Sequence, residues 1–206
     1  MKYVLWDFDG VIINSDEIRM KGFVYALRKY KEADIDELIS YHKANGGLSR
    51  YNKFEYFFSK ILEINVEQSH IKQLCNDYTE IMLKNLGNKD LLIKDSIDFI
   101  EQKRNEKDMI LVSASDGIEL NKLCKKLKID HYFSMILGSP KPKNENLRDL
   151  IKTKRINPTM SIYIGDSIND KQAAEENSIK FFGYNNRELL KSSKNYIYTF
   201  QEFNLF

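Results

Sequence analysis

Two cysteines in 206 residues, Cys75 and Cys124, are too few and too isolated for a disulfide scaffold or a CxxC motif. Both fall on stretches of helical pattern, so reduced core thiols in a cytoplasmic protein are expected. No apolar run approaches the ~20 residues that a membrane span needs. The run Tyr3–Trp6 is too short for the apolar region of a secretion signal and leads into acidic residues. Neither sign of charge is in excess. The formal net charge is +2, with no basic block beyond short lysine pairs, so no nucleic-acid partner is expected. His42, His70 and His131 are scattered without ligand spacing, and no internal repeat or low-complexity linker is present. What is there is an ordinary globular balance, 42% hydrophobic and 30% charged. The length suits one core domain with a substantial insertion.

Strand and helix patterns alternate along most of the chain. Lys2–Phe8 reads as a buried strand. A long helical stretch follows, with segments Asp16–Lys31, Asp34–Lys43, Ser49–Glu63 and Val66–Lys84 broken at Asn45-Gly46-Gly47 and near Asn65. Alternation then returns, with strands expected at Met109–Ala114, Ser134–Leu137, Met160–Ile164 and Lys180–Gly183, and an edge strand at Tyr196–Tyr198. Strands separated by helices of this length predict an α/β fold with a Rossmann-like parallel sheet covered on both faces. The helices between the first two strands are expected to form an inserted lid. The boundaries drawn are 1–14 with 90–206 for the core and 15–89 for the helical insertion.

Ligands of such sheets bind at the carboxyl ends of the strands. Those ends are Asp7-Phe8-Asp9-Gly10, Ser113-Ala114-Ser115, Gly138-Ser139-Pro140-Lys141-Pro142-Lys143 and Gly165-Asp166-Ser167-Ile168-Asn169-Asp170. Asp7 and Asp9 are two apart, which on a strand puts both on one face. Four carboxylates at one edge repel unless a cation joins them, and oxygen ligands in a small site favour a hard ion, Mg²⁺ above all. Mg²⁺, a lysine and hydroxyl donors together would hold a phosphate. Taken singly, each residue has an ordinary structural role: Asp9 or Asp170 as a turn or helix cap, Ser113 as a buried hydroxyl, Gly10 as a turn glycine. Ser115 and Ser167 read as structural. Only the joint constellation favours chemistry.

DFDGV (Asp7–Val11), the strand-terminal Ser113, the lysine of GSPKPK and GDSIND (Gly165–Asp170) resemble, in order, the four motifs of the haloacid dehalogenase superfamily. The likeness covers roughly residues 1–14 and 90–200, and the helical insertion resembles that family's C1 cap. The resemblance implies a phosphoric monoester hydrolase of the phosphoglycolate phosphatase and β-phosphoglucomutase type. Asp7 would be the nucleophile that forms an aspartyl phosphate, and Asp9 the acid and then the base. Mg²⁺ would be held by Asp7, the backbone carbonyl of Asp9 and Asp166, with Asp170 in support. Ser113, the Ala114 N–H and N–H groups of the Asp9–Gly10 turn would bind phosphoryl oxygens. The pattern GSPxxK points to Lys143, although Lys141 sits in the same loop. Relatives often carry Asp-Ser where this chain has Asn14-Ser15, near the passage into the insertion.

An acid two residues after the nucleophile suits phosphatases and phosphomutases rather than dehalogenases. The substrate expected is a small phosphorylated metabolite, a phosphosugar or phospho-acid. A phosphomutase and a non-catalytic ligand-sensing protein are the alternatives. Substrate choice is expected from the insertion. Gly46 and Gly47 can form a tight loop pointing at the site. Arg50 and Lys53 lie one helical turn apart and would either meet the substrate or form a solvated face. Tyr51, Phe54, Phe57 and Phe58 recur at helical spacing and read as its packing core. A monomer or weak homodimer without membrane contact completes the expectation.

Overall fold

The computed structural model describes residues 1–204. Six parallel strands form one sheet: β1 Tyr3–Trp6, β2 Asp108–Asp116, β3 Met135–Ser139, β4 Ser161–Gly165, β5 Lys180–Tyr184 and β6 Tyr196–Ile197. Their spatial order is β3-β2-β1-β4-β5-β6, so β1 is central and the short β6 closes one edge. The strands are apolar on both faces because helices cover both. Val4 and Trp6 of β1, Met109 and Leu111 of β2, and Ile162 and Ile164 of β4 join one apolar cluster. The intervening Leu5, Ile110, Val112 and Tyr163 join the other, as a period of two requires.

The helices are α1 Asp16–Ala26, α2 Glu32–Ala44, α3 Arg50–Tyr56, α4 Gln68–Asn85, α5 Lys94–Lys103, α6 Gly117–Leu127, α7 Lys143–Lys152, α8 Ile168–Glu176 and the short α9 Leu189–Ser192. Helices α1–α4 all lie between β1 and β2 in sequence. Phe54, Phe57 and Phe58 are buried among them, and their cluster runs on into the Trp6 face of the sheet. Cys75 and Cys124 are free and buried.

Two element ends depart from the expected pattern. α1 stops at Ala26 rather than Lys31, because Leu27 turns fully into the core and Tyr30 packs edge-on against Phe57 and Phe58. After α3 the chain widens into a π-helical turn, Phe57–Ile61, closed by Leu62 N–H donating to the Phe57 carbonyl at 3.0 Å. That wider turn lets both Phe57 and Phe58 face inward. The other elements shift by only a few residues at their ends.

Candidate active site

Parallel pairing sets the site. β1 and β4 are neighbours in register, and Asp7 N–H, just past the end of β1, donates to the Ile164 carbonyl of β4 at 2.9 Å. This places Asp7 beside Asp166, while α8 brings Asp170 back from below. One oxygen of each of Asp7, Asp166 and Asp170 lies within 4.8 Å of the other two. Lys143, the first residue of α7, reaches Asp7 Oδ1 at 2.8 Å and also donates to Asp170. Asp170 caps its own helix by accepting from Ser167 N–H and Oγ at 3.1 and 2.8 Å. Of the two lysines in the loop, Lys141 is exposed and paired with Asp149 at 2.5 Å, so it has no part in this cluster.

The cluster carries more negative charge than Lys143 offsets. Burial first, then the Asp170 carboxylate, push Asp7 up to about 7 against the pull of Lys143. Burial and Asp7 likewise raise Asp166 well above the carboxylate range. Three oxygens at this spacing, each from a separate carboxylate, fit a hard divalent cation. Gly10 is part of the fit. Its φ is +72°, and a Cβ there would lie 2.0 Å from Asp166 Oδ2. Its N–H donates to the Ile13 carbonyl at 2.9 Å.

Asp9 does not join that cluster through its side chain. The chain leaves strand geometry after Trp6, and the two aspartates acquire separate cations. Arg19 of α1 binds Asp9 through Nε to Oδ1 at 2.9 Å and Nη2 to Oδ2 at 3.2 Å. Ser15 and Ser115 donate to the same carboxylate at 2.5 and 2.6 Å. Burial alone would raise Asp9, but Arg19 and the two serines override it and hold it at about 2. Nothing in the sequence singles out Arg19, and Ser115 has a larger part here than its structural reading suggests. Ser113 is buried, its hydroxyl accepting from Ser115 N–H at 3.1 Å, while Ala114 and Ser115 line the cavity.

The cavity above the strand ends measures about 720 Å³ and is walled by Asp7, Asp9 and Asp166 below and by α1–α3 above. Arg50 and Lys53 both face it and are only 5% and 3% exposed, which excludes the solvated face. Arg50 pairs with Glu119 Oε2 at 2.6 Å and donates to Thr79 Oγ1 at 2.7 Å. Lys53 Nζ sits 2.8 Å from His42 Nδ1. Burial, with Arg19 among the cations nearby, lowers Lys53 to about 7, and burial with Lys53 lowers His42 to about 3. His42 is therefore the neutral acceptor of the Lys53 proton. The Gly46-Gly47 loop faces the active site as expected, docked on the loop after β4. A Cβ at Gly47 would lie 2.5 Å from Asn169 Cβ. Nothing in local pattern marked Arg19, Glu119 or His42, since each finds its partner on another element.

An aspartate just past β1, a lysine bridging two carboxylates and three carboxylates close enough to share a cation thus meet at the floor of one cavity, at the carboxyl ends of a parallel sheet. Residues 4–184 match the model of the haloacid dehalogenase-like hydrolases, and the chain belongs to that family. No curated protein matches it in sequence. Among solved structures it resembles β-phosphoglucomutase (pgmB) from Clostridium difficile, at 15% identity and a TM-score of 0.80, covering 100% of this chain and 94% of that one. A predicted phosphatase from Clostridium acetobutylicum follows at 20% identity and 0.76, covering 98% and 95%. A mutant of CbbY from Rhodobacter sphaeroides, in complex with xylulose-(1,5)bisphosphate, stands at 14% identity and 0.76, covering 98% and 96%. At these identities the likeness is one of fold. No helix among the described residues is long and apolar enough to cross a membrane.

Proposed function

We propose that the protein is a Mg²⁺-dependent phosphatase of a small phosphorylated metabolite, a phosphosugar or phospho-acid. The observation that carries this reading is the Asp7–Lys143–Asp170 bridge beside Asp166 at the floor of a cavity. Asp7 attacks phosphorus, so that its carboxylate oxygen forms a P–O bond as the ester P–O bond breaks. Lys143 fixes the attacking carboxylate and keeps it charged. Mg²⁺, held by Asp7, Asp166 and the Asp9 carbonyl with Asp170 in support, would compensate charge between nucleophile and phosphoryl oxygens. Ala114 N–H and Ser113 contribute at the phosphoryl side. With Arg19 displaced from it by the leaving oxygen, Asp9 takes up a proton from solvent, passes it to that oxygen as the ester bond breaks, then takes a proton from the water that cleaves the aspartyl phosphate. Helices α1–α4 act as the lid, with residues 15–89 as its extent, and exclude water while Arg50 and Lys53 face the substrate.

Phosphate release from a metabolite panel tests this, with Mg²⁺ and with a chelator. Release that survives chelation, or that Asp7→Asn leaves above about a tenth of the wild-type rate, contradicts the assignment. A phosphomutase of the same design is the second reading, because the Clostridium difficile neighbour is named as one. Release of free phosphate without a bisphosphate activator separates the two.

A further inference from the structure

Four cations of α1–α3 line the cavity: Arg19, Lys43, Arg50 and Lys53. Two of them converge on a single carboxylate outside the cavity wall. Glu119 of α6 has no exposed surface, accepts from Arg19 Nη1 through Oε1 at 2.5 Å, and pairs with Arg50 Nη2 through Oε2 at 2.6 Å. Each guanidinium makes further contacts within the protein. Arg19 holds Asp9 and donates to Ser115 at 2.8 Å. Arg50 donates to Thr79 and lies 4.7 Å from the Tyr78 ring centroid. Two carboxylates therefore balance two guanidiniums before any ligand enters. Lys43 is exposed, and Lys53 has its ammonium on His42. Asp9, Asp16 and Glu188 also face the space.

A second phosphate that recruited Arg19 or Arg50 in the upper cavity would draw it away from Glu119. That strands a buried carboxylate, a loss of several kcal/mol in the usual case. We propose that Glu119 is a specificity-determining residue: by engaging Arg19 and Arg50 it denies the cavity a second phosphate site, so the ligand is a monophosphate with an uncharged, hydroxyl-bearing remainder. This rests on the phosphatase reading and narrows it toward sugar monophosphates. Hydroxyls of that remainder would meet the Lys53–His42 pair at the cavity wall.

The test compares sugar monophosphates with their bisphosphate counterparts by isothermal titration of the wild-type protein, and by KM and kcat where turnover occurs. Wild type should bind the best monophosphate at least tenfold more tightly than its bisphosphate. Glu119→Gln, which keeps the shape and removes the charge, should lower the bisphosphate KM or Kd at least fivefold and the monophosphate value by less. A wild-type preference for the bisphosphate overturns the inference, as does an unchanged ratio in folded Glu119→Gln, or no binding of any sugar monophosphate. The wild-type arm needs no variant to fold. Binding without turnover of any ester, an aryl phosphate included, would refute the phosphatase reading and leave the selectivity measured.

Discussion

Replacing Lys53 with methionine should stabilise the protein in mild acid, and the effect should fade as pH rises. Lys53 is 3% exposed, its Nζ rests on the neutral His42, and burial lowers it from 10.5 to about 7. Its folded value lies below its unfolded one, so between pH 7 and 10.5 the unfolded chain holds a proton that the folded chain has lost. Stability therefore rises with pH up to about 7 only weakly and falls short of its full value until the unfolded ammonium also titrates; the relative penalty on wild type is complete below pH 7 and relieved across the window above it. At about 1.4 kcal/mol per tenfold change in proton affinity, the full penalty is roughly 5 kcal/mol. Between pH 6 and pH 9.5 about 3 kcal/mol of it disappears. Methionine removes the titration but leaves His42 without its donor, at a cost of about 1–3 kcal/mol that is independent of pH in this range. Urea unfolding of both proteins at pH 6, 8 and 9.5 measures the difference, in which other titrating groups cancel. The variant's advantage over wild type should shrink by roughly 3 kcal/mol from the lowest to the highest pH. A difference that does not vary with pH would show that burial does not hold Lys53 below its usual range.

Lys143→Ala should cut turnover of an aryl phosphate at least about a hundredfold and cost about 3–5 kcal/mol in urea unfolding, since Asp7 and Asp170 lose their shared buried partner. Lys141→Ala removes an exposed pair with Asp149 and should stay within about 0.5 kcal/mol of wild type; the reverse order would refute the choice of lysine. Gly47→Val should raise KM several-fold by driving the loop off Asn169, whereas Gly46→Ala, whose Cβ meets only Ser167 Cβ at 3.8 Å, should not. Equal KM values for the two variants would mean that this loop does not shape the cavity.

The sheet and its acidic edge were legible in the chain because their signals are local. The apolar runs ending in Asp7 and in Gly165-Asp166 are buried parallel strands, and topology brings their ends together. Lys143 was picked out by its motif, and it lies against Asp7. The charges of the helical insertion were legible only as faces. Arg50 and Lys53 share one, but whether it met water or protein depended on Glu119, far along the chain in α6, and on His42 of a different helix. Arg19 looked like any helix arginine until the fold set it against Asp9 and Glu119. The early stop of α1 has the same origin, because no glycine or proline ends it and the docking of Leu27 and Tyr30 does.

The acidic groups at the cavity floor and behind its wall are neutralised by different means. Asp9 and Glu119 face Arg19 and Arg50, two charges against two, closed by protein alone. Asp7, Asp166 and Asp170 share the single ammonium of Lys143, which leaves two negative charges in a buried space when all three are ionised. Burial first, and the neighbouring carboxylates after it, raise Asp7 and Asp166, whereas at Asp9 Arg19 and the two serines outweigh burial. A divalent cation brings the Asp7 group to neutrality without consuming the nucleophile's charge, and beside Asp9 it would have nothing left to neutralise. On the phosphatase reading a cation would therefore be held at the Asp7 carboxylate and not at that of Asp9, although the two aspartates stand only two residues apart.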